Sequence, residues 1–337
     1  MRILWSTKLG GKISGDAAVG GGQVIVGSWD NRLHSLDADT GAIRWRFATD
    51  GYVSATPLLA GQIAVFGSYD GFVYAVHADG GGQVWKARTK SWIRGGAASD
   101  RERVYIGSHD CNLWAFSHDT GEQAWRFETR NWISSAPACI AGRVVFGSVD
   151  GNVYCLDSTD GRELWRFRVG SELKYDSAIP PGSVHTVSVL STPVVAEGVV
   201  YIGANDGFLW ALDIETGRTR WGFPTSGWVM GRPIIAGNSV VFGSADGCVR
   251  AVDRNAGSLA WSTNTGAPIL SSPATDGRQA YVVTLLGELY GIDLETGSVR
   301  EKVSLTPTTA SPVLDGERLY IGLATGELLA LSTKLEG

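Results

Sequence analysis

Side chains able to move a proton near neutrality are few in this chain: five histidines among 337 residues, His34, His77, His109, His118 and His185. His34 and His77 fall in or at the end of strand-like stretches and His118 in a polar turn, which leaves His109 and His185 in connecting segments. An imidazole beside Asp176 or Glu172 makes a general acid/base pair, so His109, Asp176 and His185 are the candidate catalytic residues. No Ser-His-Asp spacing, His-x-x-x-His pair or glycine-rich phosphate loop leading into a helix accompanies them. Cys111, Cys139, Cys155 and Cys248 stand singly without a CxxC spacing, the pattern of free thiols in a reducing compartment, and no metal site is expected. Aromatic side chains are the abundant resource: 13 Trp, 10 Tyr and 10 Phe can stack on planar, conjugated or cationic groups.

The elements that position these residues repeat. A hydrophobic stretch ends in glycine at Gly27, Gly67, Gly107, Gly147, Gly203, Gly243 and Gly322, with Val283 in the same slot of the seventh copy; successive copies lie 40, 40, 40, 56, 40, 40 and 39 residues apart. Four strand-like segments per period of about 40 predict an all-β fold, a β-propeller of eight four-stranded antiparallel blades. In the unit 51–90, strands are expected at Ala55–Leu59, Gln62–Ser68, Phe72–Val76 and Gln83–Ala87. A tight turn built on Asp30, Asp70, Asp110, Asp150, Asp206 or Asp246 joins the second strand to the third, a structural role for those aspartates. The next turn carries Thr-Gly or a relative, and four residues after its glycine comes Trp45, Trp85, Trp125, Trp165, Trp221 or Trp261, with Glu301 in the seventh copy. Such a ring of indoles is expected to pack between blades and donate its N–H groups to the neighbouring backbone. The eighth unit supplies three strands, and Ile3–Thr7, with Trp5 40 residues before Trp45, fits its missing fourth. Residues 1–337 are therefore expected to form one ring, with 1–9 as the closing strand of blade 8.

Bulk properties narrow the partners. The net charge is −5 and the pI about 5.6, so no overall basic field favours nucleic acid. No apolar run approaches a membrane-helix length, and Met1-Arg2-Ile3-Leu4-Trp5 enters the repeat directly, without a signal-peptide pattern. A soluble, cytoplasmic monomer is the expectation, with an exported mature form left open.

The string Ala-x-Asp-x-x-Thr-Gly-x-x-x-Trp resembles the tryptophan-docking motif of PQQ-like propeller repeats, and the resemblance covers essentially the whole chain. Those repeats occur in quinoprotein dehydrogenases, in the lipoprotein propeller of the outer-membrane assembly machinery and in bacterial kinase sensor regions. The quinoprotein branch implies PQQ, a calcium ion and an adjacent cysteine pair. This chain has no adjacent cysteines, and none of its carboxylates matches that branch's calcium ligands, so neither PQQ nor calcium is expected. The assembly branch implies a lipid-anchored scaffold, whose lipobox pattern is missing here.

Function is expected where the blades differ. Loops leading into the first strand carry Tyr52, Trp92, Trp132 and Trp228 at one position, against Lys12, Ser188, Pro268 and Pro307 in the other blades. Two residues on, Ser14, Ser54, Arg94, Ser134, Leu190, Met230, Leu270 and Thr309 should point toward the axis. The loop between second and third strands adds Trp29, Tyr69 and His109 to what should be the same face, the channel mouth, with Arg94 and Arg232 nearby. Between blades 4 and 5 an insertion, residues 170–186, enters that face and suits a lid. Trp29, Tyr52, Tyr69, Trp92, Arg94, His109, Trp132, Trp228, Met230 and Arg232 are the candidate ligand-binding residues. They suit a planar or aromatic small molecule, or a peptide segment, bound without catalysis. The alternative from another class is a cofactor-independent lyase or cyclase working through His109, Asp176 and His185.

Overall fold

The computed structural model describes residues 1–170 and 187–334. The expected lid and its Asp176 and His185 fall outside those residues. Among the described residues every regular element is a strand, gathered into eight four-stranded antiparallel sheets of an eight-bladed β-propeller. Blade 1 runs through Ala18–Gly20, Gln23–Ser28, Arg32–Asp37 and Ile43–Ala48. Blade 2 follows as Leu58–Ala60, Ile63–Gly67, Phe72–His77 and Gln83–Arg88, so its first strand starts three residues later than the sequence suggests. Blades 3 to 7 span 97–128, 138–168, 194–224, 234–264 and 274–304. Blade 8 takes Val313–Asp315, Arg318–Gly322 and Glu327–Ser332 from the end of the chain and Arg2–Lys8 from its start.

Alternation along the inner strands buries both faces, so Val24, Ile25, Val26 and their equivalents are fully buried and the core divides into eight clusters, one per blade interface. The fourth strand is bulged just before its tryptophan, as between Ser35↔Trp45 and Leu36↔Ile43, which turns the indole toward the next blade. There the N–H of Trp45 donates to Ala78 O at 2.9 Å and that of Trp85 to His118 O at 2.9 Å; the same bond leaves Trp5, Trp125, Trp165, Trp221 and Trp261. The ring lies flat on the motif glycine, where a Cβ on Gly81 would come within 2.6 Å of Trp45, and Gly81 also needs its φ of 70°.

The turn aspartates clip one blade to the next. Asp70 accepts from Phe72 N within its own turn, from the Tyr74 hydroxyl, and from Asp50 N at the exit of blade 1. Asp110, Asp150 and Asp246 repeat the set, with Trp114, Tyr154 and Arg250 in place of Tyr74.

At the opposite end of each blade, Asp37, Asp213 and Asp293 cap the turn before the fourth strand. The backbone N–H of Thr296, then the Arg300 guanidinium, hold the Asp293 carboxyl down at about 2; Arg44 and Thr40 hold Asp37 low, and Arg220 and Thr216 do the same for Asp213. A carboxyl whose folded pKa lies below its unfolded value of about 4 stabilises the fold above that value and stops doing so as pH falls through the folded one. The unfolding midpoint is therefore expected to fall between about pH 4 and about pH 2, and Asp293→Asn should flatten part of that slope. An unchanged slope in the variant would contradict the capping role.

Candidate functional site

Each lead-in loop is tied to the second-to-third loop of its own blade by one backbone bond. Trp29 N donates to Lys12 O and Tyr69 N to Tyr52 O at 2.9 Å; His109 N donates to Trp92 O at 2.9 Å and Val149 N to Trp132 O at 2.8 Å. The same bond recurs in blades 5 to 8, from Asn205, Ala245, Leu285 and Ala324. All these loops thus share one end of the ring. Local alternation then points the side chains: Val53, Ile93 and Ile133 turn inward and are fully buried, while their neighbours Tyr52, Trp92 and Trp132 turn outward and are 43%, 55% and 50% exposed. The inward residue explains the strand-two glycine, since a Cβ on Gly67 would meet Ile93 Cγ2 at 2.0 Å.

Six rings from blades 1 to 4 form an unbroken arc. Trp29 stacks on Tyr52 (centroids 4.9 Å apart, planes 10° apart), Tyr69 on Trp92 (5.3 Å, 6°) and His109 on Trp132 (4.7 Å, 6°). Tilted contacts join the pairs, Tyr52 to Tyr69 at 6.0 Å and Trp92 to His109 at 6.2 Å. The Lys12 ammonium caps one end, 5.1 Å from the Trp29 ring. Axial serines pin the arc from beneath: Trp29 Nε1 donates to Ser14 Oγ at 2.9 Å, Ser14 meets Ser54 at 2.9 Å, and His109 Nε2 lies 3.0 Å from Ser134 Oγ. Burial, then the Arg94 charge, lowers the pKa of His109, so the ring stacks as a neutral imidazole at neutral pH.

Beneath the arc, Ser14, Ser54, Arg94, Ser134, Leu190, Met230, Leu270 and Thr309, one from each blade, line a cavity of about 460 Å³ on the axis. At these eight positions the lining is divided: hydroxyls and a guanidinium on blades 1 to 4, hydrocarbon and a thioether on blades 5 to 7. Met230 and Arg94 thus sit where the spacing places them. Trp228 is 55% exposed on the mouth face of blade 6, apart from the arc, with no ring contact to it. Arg232 lies a layer deeper than the rim. In that layer a relay circles half the ring, from Arg232 N to Ser272 Oγ, Ser272 N to Ser311 Oγ, Ser311 N to Asp16 Oδ1 and Asp16 N to Thr56 Oγ1. Burial pushes the Asp16 carboxyl up against the opposing effects of Ser311 and Arg232.

This lining does not fit a calcium–quinone centre. Calcium takes six to eight oxygen ligands with carboxylates prominent, and among the described residues the channel lining includes one carboxylate, Asp16, already bonded to Ser311. The four thiols are all free, Cys155 fully buried in a third strand and Cys139 in a first strand with its pKa raised by burial to about 11. Among the described residues no group of three or more His, Cys, Asp or Glu could hold a metal ion, and no helix is long and apolar enough to cross a membrane. His109, the catalytic candidate within the described residues, has a serine and not a carboxylate as its hydrogen-bond partner. What the arrangement offers is a rigid stacking surface with cationic edges. Lys12 and Asp16 were not singled out by sequence, although Lys12 occupies the same slot as Tyr52, Trp92 and Trp132.

A family model described as outer membrane protein assembly factor BamB matches residues 2–75, 69–180 and 150–334. No curated protein matches the sequence. Among solved structures, BamB from Moraxella catarrhalis superposes with a TM-score of 0.85 at 20% identity, over 98% of this chain and 99% of that one. The computationally designed Ika8 protein gives 0.84 at 19% identity, over 98% and 100%. A quinohemoprotein alcohol dehydrogenase, ADHIIG from Pseudomonas putida HK5, gives 0.76 at 14% identity, over 97% of this chain and 75% of its own. At these identities the structural likenesses establish the eight-bladed fold.

Proposed function

The chain belongs to the family described as outer membrane protein assembly factor BamB, and from that premise we propose that it is a non-catalytic module that recognises a protein segment on its aromatic arc. One observation carries this reading: six rings in mutual contact stand on one end of the ring, several of them about half exposed, outside the docking slots that hold the blades together. Exposed, pre-stacked aromatics present large contact area with little side-chain freedom to lose on binding, which is the character of interface hot spots. The assembly role in the description of the matching family points the same way, toward a protein partner.

The reading is tested with peptides selected from a random library on the immobilised protein, their affinities then measured by calorimetry. Trp92→Ala and Trp132→Ala should each weaken binding by roughly thirtyfold, the scale of a hot-spot aromatic, and leave the unfolding midpoint within a few degrees. Two variants that bind as tightly as the parent would end the proposal.

A further inference from the structure

The outer margin of the same face carries a charge pattern that the loops do not show. Where the fourth strand reaches the mouth, blades 1 to 4 place Arg46, Lys86, Arg126 and Arg166 at one position, and blades 5 to 8 place Gly222, Ser262, Lys302 and Ser6 there. Two residues further on come Arg88 and Arg168, with Glu128 between them in blade 3, and two further still Lys90 and Arg130, with Asp50 in blade 1. Across these positions blades 1 to 4 hold eight cations, Arg166 of them ion-paired to Glu163, against two carboxylates, Asp50 and Glu128, in a chain whose net charge is −5. Arg46, Lys86, Arg88 and Arg126 are exposed and, among the described residues, paired with no carboxylate. Several lie over third-strand rings instead: Lys86 is 5.0 Å and Arg88 5.5 Å from the Phe72 centroid, and Arg126 is 5.7 Å from Trp114. At the opposite end of the blades, by contrast, charges are matched: Asp37, Asp39, Asp213, Glu215 and Asp293 pair with Arg44, Arg318, Arg220, Arg143 and Arg300.

The aromatic arc and this cationic belt are concentric over the same four blades, the arc inside and the belt outside. We infer that the segment recognised is acidic: an extended stretch of protein laid along blades 1 to 4, its apolar side chains against the arc and its carboxylates on the belt. This rests on the arc being the recognition surface and adds the partner's chemistry. Complementary charge raises the encounter rate, and the ion-paired far end of the ring offers a negative partner, among the described residues, no comparable row of unpaired cations, so approach to the mouth face is favoured. Stacking rings beside cations also suit single-stranded nucleic acid. The carboxylates of Asp50 and Glu128 within the belt, and the net negative charge, disfavour a uniform run of phosphates more than spaced carboxylates.

The test uses fluorescence anisotropy with three labelled probes: a flexible peptide mixing Glu with Phe, the same peptide with every Glu replaced by Gln, and an oligothymidylate of similar length. The Glu peptide should bind the full chain, more weakly as salt rises. Binding should fall roughly tenfold or more for the Gln peptide and for the double variant Lys86→Glu/Arg126→Glu, and for Lys86→Gln/Arg126→Gln by less. Arg278→Glu, a single charge reversal at the far end, should leave it unaltered. Equal affinity for the Glu and Gln peptides, tighter binding of the oligothymidylate than of the Glu peptide, or an Arg278→Glu effect as large as the double variant's would each overturn the inference. If Trp132→Ala weakens both peptides alike while charge reversal is silent, the arc stands as the surface and its preference for acid falls. If charge reversal acts and Trp132→Ala does not, the arc itself is sunk as the site, and this assignment goes with it.

Discussion

A chain lacking residues 1–9 is expected to unfold at a midpoint lower by about 10 °C or more, with a broadened transition, when followed by calorimetry. The segment joins the last blade to the first. Arg2–Lys8 pairs with Glu327–Ser332 in register from Arg2↔Ser332 to Lys8↔Glu327, and Leu9 N continues the ladder to Gly326 O at 2.7 Å. Its outward connections reach blade 1: Trp5 Nε1 donates to Ala38 O at 3.1 Å and Thr7 Oγ1 to Gly41 O at 2.7 Å. The Trp5 ring also packs 5.9 Å from Tyr320, and Leu9 is buried in the cluster shared by blades 8 and 1. Without it Glu327–Ser332 becomes an open edge, and one of eight interfaces loses its docked indole. Trp5 is partly buried, and losing its indole costs about 3 kcal/mol, which in a domain of this size corresponds to roughly 4 °C; the lost strand ladder and the buried Leu9 account for the rest. A truncated chain with the parent's midpoint would show that the ring does not depend on this closure.

How much of this was legible in the residues depended on whether the relevant comparison lay along the period or across it. Identical slots 40 residues apart gave the blade count, the docking tryptophans and the closing strand, because each blade solves the same packing problem with the same side chains. Val283 is different. It breaks the strand-two glycine rule, and one blade on Thr308 stands where Val or Ile packs on that glycine elsewhere, so the two departures fall on the same blade interface. No single slot shows that pairing. The aromatic positions were readable one by one, but their pairing was not, since Trp29 of one blade stacks on Tyr52 at the threshold of the next. Arg232 was placed with Arg94 at the rim, and two residues of extended chain carry it a layer deeper, into the relay with Ser272. The cationic belt was present at the regular spacing of Arg46, Lys86, Arg126 and Arg166, on strands read for their tryptophans alone.

Two tryptophans seven residues apart, Trp125 and Trp132, should separate scaffold from site. Trp125 is 8% exposed, donates to Ser158 O at 3.0 Å, lies 5.6 Å from Tyr105 and covers Gly161, whose Cβ position would fall 2.6 Å from the indole. Truncation leaves a ring-sized void between blades 3 and 4 and strands a carbonyl that the Tyr105 hydroxyl, 3.3 Å away, satisfies in part. Trp125→Ala is expected to cost about 3–5 kcal/mol; Trp125→Phe keeps most of the buried area and loses the donated bond, for about 1 kcal/mol. Trp132→Ala removes a half-exposed ring stacked on His109 and no buried hydrogen bond, so stability should change by about 0.5 kcal/mol or less. Denaturant unfolding of the three variants reads these differences directly. In binding the order reverses: Trp132→Ala weakens peptide capture, whereas Trp125→Phe, still folded, leaves it at the parent's level. A Trp132→Ala variant as unstable as Trp125→Ala would show that the arc holds the blades together and has no surplus to offer a partner.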